Sequence, residues 1–251
     1  MRESWRQRLT GLLLKHATTI IFVVTFIYFG FNADHFFSAE NVLNIVKQAS
    51  FVGIIAVGMT FVLLTAGIDL SVGSNMYVSA MAVGYFLQLP GMQGGFGVFA
   101  GLVVGLATGA VFGAVNGFCV VYLRITPFLV TLATMVAGHG IVTAITESFG
   151  IDYPRAFIAF GAASILAVPI PIIVFALVVV AAHIVLTQTA FGRQLYAVGN
   201  DPEGARKAGV DTDRIVLSVY VISGLWAALA GVMLIALVGR LNQTFGVGKE
   251  F

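Results

Sequence analysis

The sequence predicts an all-α, polytopic membrane helix bundle with about seven transmembrane helices in a single domain, 1–251. Three observations carry that prediction. The 251 residues are 59% hydrophobic and only 10% charged, against about 25% charged residues in soluble domains. Mean hydropathy is +1.00. Seven apolar stretches approach or exceed the roughly 20 residues that a helix needs to cross about 30 Å of hydrocarbon.

These stretches are 17–36, 48–67, 72–89, 97–122, 126–146, 169–189 and 215–239, each bounded by charges or by Pro, Gly and Asn. The first follows Arg2, Arg6, Arg8 and Lys15 and so imitates a secretory signal. Its apolar run is too long for a signal core and no small-x-small cleavage site follows, so it reads as a retained first helix. Basic residues set the orientation. With the N-terminus inside, Arg2, Arg6, Arg8, Lys15, Arg124, Arg193, Arg206, Lys207 and Arg214 are cytoplasmic, and Lys47, Arg155, Arg240 and Lys249 lie outside. That assignment leaves Phe251 on the outer side.

The second and third stretches are joined by Gly67-Ile68-Asp69-Leu70-Ser71-Val72-Gly73-Ser74-Asn75. A carboxylate and several hydroxyls there force a helix break, which Asp69 or Ser71 can cap while two glycines allow a tight reversal. Ionisable groups at membrane depth are expensive and often functional. Asp69, Ser71, Ser74 and Asn75 are therefore also candidates for a polar pathway or its inner gate. Asn116, Thr126 and Thr131 join them, and Thr60, Thr65 and Thr134 supply further hydroxyls that can bond a passing neutral solute or a neighbouring helix.

The fourth stretch repeats glycine at every fourth position, Gly97, Gly101, Gly105, Gly109, Gly113 and Gly117. That spacing makes a groove in which another helix backbone can pack. Between the fifth and sixth stretches, 148–168 reads as a short outer-surface or re-entrant helix. The 190–214 loop holds a short capped helix. Asp201 suits the N-cap, Pro202 the first position and Glu203 the positive end of the dipole. Arg206 and Lys207 suit the last turn, and Gly209 the stop. A helix of about two turns does not stand alone in water, so it must dock on something.

Several functions are excluded or weakly supported. Basic residues form no patch for nucleic acid. The single cysteine, Cys119, permits neither an intrachain disulfide nor a thiolate metal site. His16, His35, His139 and His183 lack zinc spacing, although His139 and His183 sit in spans where they could meet. No phosphate loop and no G-x-S-x-G elbow occurs, so the chain is expected to be a non-catalytic subunit without a cofactor of its own.

The 67–74 run, then Thr126-Pro127-Phe128-Leu129-Val130-Thr131-Leu132, then 192–209, occur in the order found in permease subunits of the ribose, galactose and xylose branch of ATP-binding-cassette (ABC) importers. From about Phe36 onward the chain resembles that family. The resemblance implies a bacterial inner-membrane, multi-pass permease with a cytoplasmic N-terminus. It further implies a second permease subunit, cytoplasmic ATPases that bind the ATP, and a periplasmic sugar-binding protein. It assigns ATPase coupling to Arg193, Asn200, Asp201, Pro202, Glu203, Ala205, Arg206 and Gly209, with Gly204 standing where relatives commonly have Ala. Relatives have about ten spans, so the chain is expected to be C-terminally truncated. A membrane enzyme acting on a lipid or isoprenoid head group, a scaffold and an inactive fragment stay open as alternatives.

Overall fold

The computed structural model describes residues 14–249. Arg2, Arg6, Arg8 and Phe251, which entered the orientation argument, lie outside the described residues. The chain forms two compact units, 1–46 and 47–251. Within the first, α1 (Ala17–Asn32) carries Phe26, which meets Phe36 and Phe37 of the following loop edge-on, and Phe29, which stacks on Phe36, at centroid distances of 5.2–6.4 Å. Next comes α2 (Ala39–Leu64), whose start is marked by Ser38 Oγ accepting from the Asn41 amide at 3.2 Å. This helix begins well before the apolar stretch at 48, because its first turns carry Glu40, Asn41, Asn44 and Lys47 and so escape a hydropathy criterion.

The second unit continues with α3 (Val72–Leu87), α4 (Gly95–Val121), α5 (Pro127–Ile145), α6 (Arg155–Ala162), α7 (Ile170–Gln188), α8 (Ala190–Asn200), α9 (Pro202–Lys207) and α10 (Thr212–Val238). All seven apolar stretches contain a helix. Five of the helices, α2, α4, α5, α7 and α10, are long and apolar enough to cross a membrane. The other two, α1 and α3, have 16 residues each and fall short of that length. An all-α membrane bundle is therefore observed, with five spans of full length among the described residues rather than seven.

Helix α3 occupies the centre. Twelve of its residues are buried, and it packs against α4, α5 and α10. The glycine row of α4 faces α10. A Cβ on Gly113 would overlap the Tyr220 carbonyl, one on Gly109 would overlap Ala228, and one on Gly224 would overlap the Gly109 carbonyl. Gly117 lies on Leu217, and Gly105 on Val232 and Val83. Gly101 differs, since it faces Leu87 and Val83 of α3 at ordinary contact distance. The row thus seats two helices, and at Gly109 and Gly224 two backbones touch directly.

The 148–168 segment holds the short helix expected there, α6, preceded by β1 (Ile151–Asp152). β1 pairs antiparallel with β4 (Arg240–Leu241), Ile151 opposite Leu241 and Asp152 opposite Arg240. β2 (Ser164–Ile165) and β3 (Val168–Pro169) form a small hairpin before α7. Tyr153 anchors this cover to the bundle by donating its hydroxyl to the Ala80 carbonyl at 2.6 Å. Burial pushes its phenol well above the ordinary value, so it stays a donor.

Candidate functional site: a buried polar break and a surface helix

The chain between α2 and α3 breaks at Thr65–Ser71. The left-handed residue that reverses it is Ala66, with φ of 56°, and neither Gly67 nor Gly73. Gly67 serves another purpose. A Cβ there would stand 2.7 Å from the Tyr220 hydroxyl and 3.0 Å from Val62 Cγ1, so glycine is needed for close approach and not for backbone freedom.

Asp69 is buried and its carboxylate organises the break. Oδ1 accepts from the Ser71 amide at 3.0 Å and from Ser71 Oγ at 2.6 Å, and Oδ2 accepts from Ser223 Oγ of α10 at 2.8 Å. Ser71 Oγ in turn accepts from Asn116 Nδ2 of α4 at 2.7 Å. One carboxyl group thus ties the break to α10 directly and to α4 through Ser71. Ser74 Oγ donates to the Ser71 carbonyl at 2.8 Å. Asn75 Nδ2 lies 3.3 Å from both the Gly109 and Gly224 carbonyls, bridging the point where α4 and α10 touch, and its Oδ1 accepts from Ser79 at 3.1 Å. Thr131 Oγ1 donates to the Pro127 and Ile68 carbonyls at 2.9 and 3.2 Å, which ties α5 to the same break.

Six of the seven pathway candidates, Asp69, Ser71, Ser74, Asn75, Asn116 and Thr131, are therefore buried side by side. Thr126 is not among them. It stands exposed before α5 with no capping bond from its side chain. Asn116 Oδ1 and the Tyr220 hydroxyl border this cluster without a hydrogen-bond partner among the described residues. The sequence reading missed Ser223 and Tyr220. A Ser-Gly pair inside the apolar run 215–239 was the available signal for Ser223, whereas nothing marked its partner as Asp69. His139 rests against Tyr77 at a centroid distance of 5.2 Å, and His183 is exposed on α7.

The second candidate region is 189–214. Its latter part folds as its residues suggest. The Asp201 carboxylate accepts from the Glu203 and Gly204 amides at 3.1 and 3.0 Å, Pro202 opens α9, and Gly209 ends it with φ of 87°. Gly204 is explained too, since a Cβ there would press on the Asp201 carboxylate that caps the helix. A further helix, α8, precedes it, with Thr189 Oγ1 accepting from the Gly192 amide at 3.2 Å as its cap. Leu195, Val198 and Ala205 are buried against Phe61 and Val62 of α2 and Ile215 and Val219 of α10. Arg193, Asn200, Asp201, Pro202, Glu203, Arg206 and Gly209 face outward. Arg206 reaches Thr212 Oγ1 at 2.7 Å and Asp213 Oδ1 at 3.0 Å at the start of α10. A cleft of about 510 Å³ opens beside it, lined in part by Thr65, Arg124, Pro202 and Arg206. No group of three or more His, Cys, Asp or Glu able to hold a metal occurs among the described residues.

Apolar helices around a buried polar break, with an exposed capped helix beside them, define a multi-pass helical membrane protein. The chain belongs to the family described as branched-chain amino acid transport system, permease component, whose profile matches residues 41–251. It is 36% identical to a fructose import permease of Rhizobium meliloti over 247 residues, covering 90% of this chain and 65% of that protein. Identity to a ribose import permease of Haemophilus influenzae is 35% over 222 residues, covering 86% of this chain and 67% of that protein. A D-allose transport system permease of Escherichia coli is 32% identical over 240 residues, 94% of this chain and 72% of its own length. The chain thus spans about two thirds of the length of these relatives. No solved structure matches it.

Proposed function

We propose that this chain is a transmembrane subunit of an ABC importer that moves a monosaccharide inward while partner ATPases bind and hydrolyse the ATP. The observation that carries the reading is the similarity to permeases named for fructose, ribose and D-allose. The exposed α9, capped by Asp201 and braced on α10 through Arg206, supports it as the surface on which an ATPase docks. In this reading Arg193, Asn200, Asp201, Pro202, Glu203, Ala205, Arg206 and Gly209 form or shape the coupling surface within a cytoplasmic 190–214 loop. The break at Asp69, Ser71, Ser74 and Asn75, with Asn116 and Thr131, acts as the inner gate, and Thr126 lines its approach. A second permease subunit completes the pathway and a periplasmic sugar-binding protein delivers the solute. The subunit lies in the bacterial inner membrane with its N-terminus in the cytoplasm.

The test is uptake of labelled fructose, ribose and allose after coexpression with an ATPase and binding protein of this importer type, comparing the parent chain with Arg206→Glu at equal membrane levels. The charge reversal sets a carboxylate against Asp213 and removes the brace. Uptake by the parent that collapses in the variant is expected. No sugar uptake by the parent while the ATPase still copurifies with it would sink the importer reading in favour of a scaffold.

A further inference from the structure

We infer that the hydrogen bond between Ser223 and Asp69 is the joint through which movement of the 189–209 segment reaches the helix break, with Ser223 and Gly199 as positioning residues. The inference deepens the importer reading and rests on it for its purpose, although the joint itself is testable without a partner or a sugar.

Two links run from the segment to the break and grip it at its two ends. The first is α8. Its Gly199 lies so close to the Leu64 carbonyl that a Cβ would overlap that oxygen, and Leu64 is the last residue of α2 before the break. Val198, beside it, is buried with Phe61 and Val62 of the same helix end. The second link is α10. Arg206 of α9 holds Thr212 and Asp213 at the start of that helix. The helix then runs unbroken through Val238. Ser223 lies about three turns along it from Thr212, roughly 16 Å deeper. There it donates to Asp69 Oδ2 at 2.8 Å.

Between the two grips stand only Thr65 to Ile68, with Ala66 in a left-handed conformation. A shift of α9 against α8 therefore displaces the two ends of the break relative to each other. On its far side Asp69 holds Ser71, and Ser71 is held by Asn116 of α4, so the displacement is passed on to the start of α3. Ser223 supplies the hydroxyl of the second grip. Without it Oδ2 of a buried carboxylate loses its described partner, and α10 can move without carrying Asp69.

Spatial intermediacy alone does not establish transmission, so the test is a double-mutant cycle read at the break. The full chain in lipid nanodiscs is followed by hydrogen exchange, using peptides that cover the 65–71 amides and, separately, 202–209. Arg206→Ala is expected to raise exchange at 65–71 by roughly fivefold, the equivalent of one lost hydrogen bond. Ser223→Ala is expected to do the same, and the double variant to exchange no faster than Ser223→Ala alone. Ser223→Thr, which keeps the hydroxyl, restores the response to Arg206→Ala, whereas Ser79→Ala, at a buried serine of α3 outside the joint, leaves that response intact. If the double variant shows the product of the two single effects, the joint is overturned. Gly199→Ala supplies an independent arm for the case where Ser223→Ala does not accumulate. It forces α8 off Leu64 and is expected to raise exchange at 65–71 with Ser223 present. No change there in either Gly199→Ala or Arg206→Ala overturns the inference. Failed sugar uptake by the parent with a non-additive cycle would count against the importer reading alone.

Discussion

Replacing Gly109 by alanine tests whether the glycine row is a contact surface or only a compositional habit of membrane helices. A methyl group at Gly109 would overlap Ala228 and stand 2.5 Å from the Gly224 carbonyl oxygen. Ordinary carbon contacts lie near 3.5–4.0 Å, so α4 and α10 must separate by roughly 1 Å. Asn75 bridges the same two carbonyls at 3.3 Å, and that separation takes at least one of the bonds beyond hydrogen-bonding range. Overpacking of this kind costs about 1–3 kcal/mol, and an interhelical hydrogen bond in a membrane protein is worth about 0.6 kcal/mol. The helix-forming gain of alanine over glycine returns at most about 1 kcal/mol. A net loss of about 1–3 kcal/mol follows from those three magnitudes. Gly140 of α5 is the control, because a Cβ there meets nothing within 4 Å. Gly140→Ala is left with the helix-forming gain alone, up to about 1 kcal/mol of stabilisation. The assay is reversible unfolding in mixed dodecylmaltoside and sodium dodecyl sulfate micelles, followed by tryptophan fluorescence and near-UV circular dichroism. Equal midpoints for the two variants would refute the packing argument, since only one of them has a neighbour to displace.

Three further outcomes are expected. Asp201→Ala removes the acceptor of two amide bonds at the start of α9 and is expected to cost about 0.5–2 kcal/mol of local stability, seen as faster exchange of the 203–205 amides with α10 unchanged. Gly209→Ala forces a side chain into the left-handed region, where an L-residue pays roughly 1–2 kcal/mol. Its signature is a lowered melting midpoint, which Gly209→Asn largely avoids. Asn75→Ala removes both bridging bonds and the acceptor of Ser79, and is expected to destabilise by about 1 kcal/mol in the same micelle assay. If Asn75→Ala is as destabilising in a Gly109→Ala background as alone, the two residues do not share the α4–α10 crossing.

Sequence reading succeeded where the cause is local. Asp201, Pro202, Glu203, Arg206 and Gly209 specify α9 because a cap, a proline, a dipole and a left-handed stop all act within a few residues of themselves. The period of four in α4 was equally legible, because it announces a close-packed face without saying what packs on it. What stayed hidden depends on residues far apart in the chain. The reversal at 65–71 looked like a task for Gly67 and Gly73, yet Ala66 takes the left-handed conformation. Gly67 is spent on making room for Tyr220, more than 150 positions away, a neighbour that no local rule supplies. Ser223 is the sharper case. In sequence it is one hydroxyl in an apolar helix, of the sort that usually bonds back to its own carbonyls. Only the depth at which α10 passes the break turns that hydroxyl toward Asp69. Two of the seven apolar stretches hold helices of only 16 residues, and for α3 the reason is related. Hydropathy reports what is kept from water and does not separate lipid from protein interior, so α3, buried inside the bundle at 16 residues, scored with the helices that face outward. A short apolar helix in the middle of a membrane bundle does not have to cross the bilayer to be apolar. Burial among α4, α5 and α10 is enough, and the polar break at Asp69 is where that helix starts.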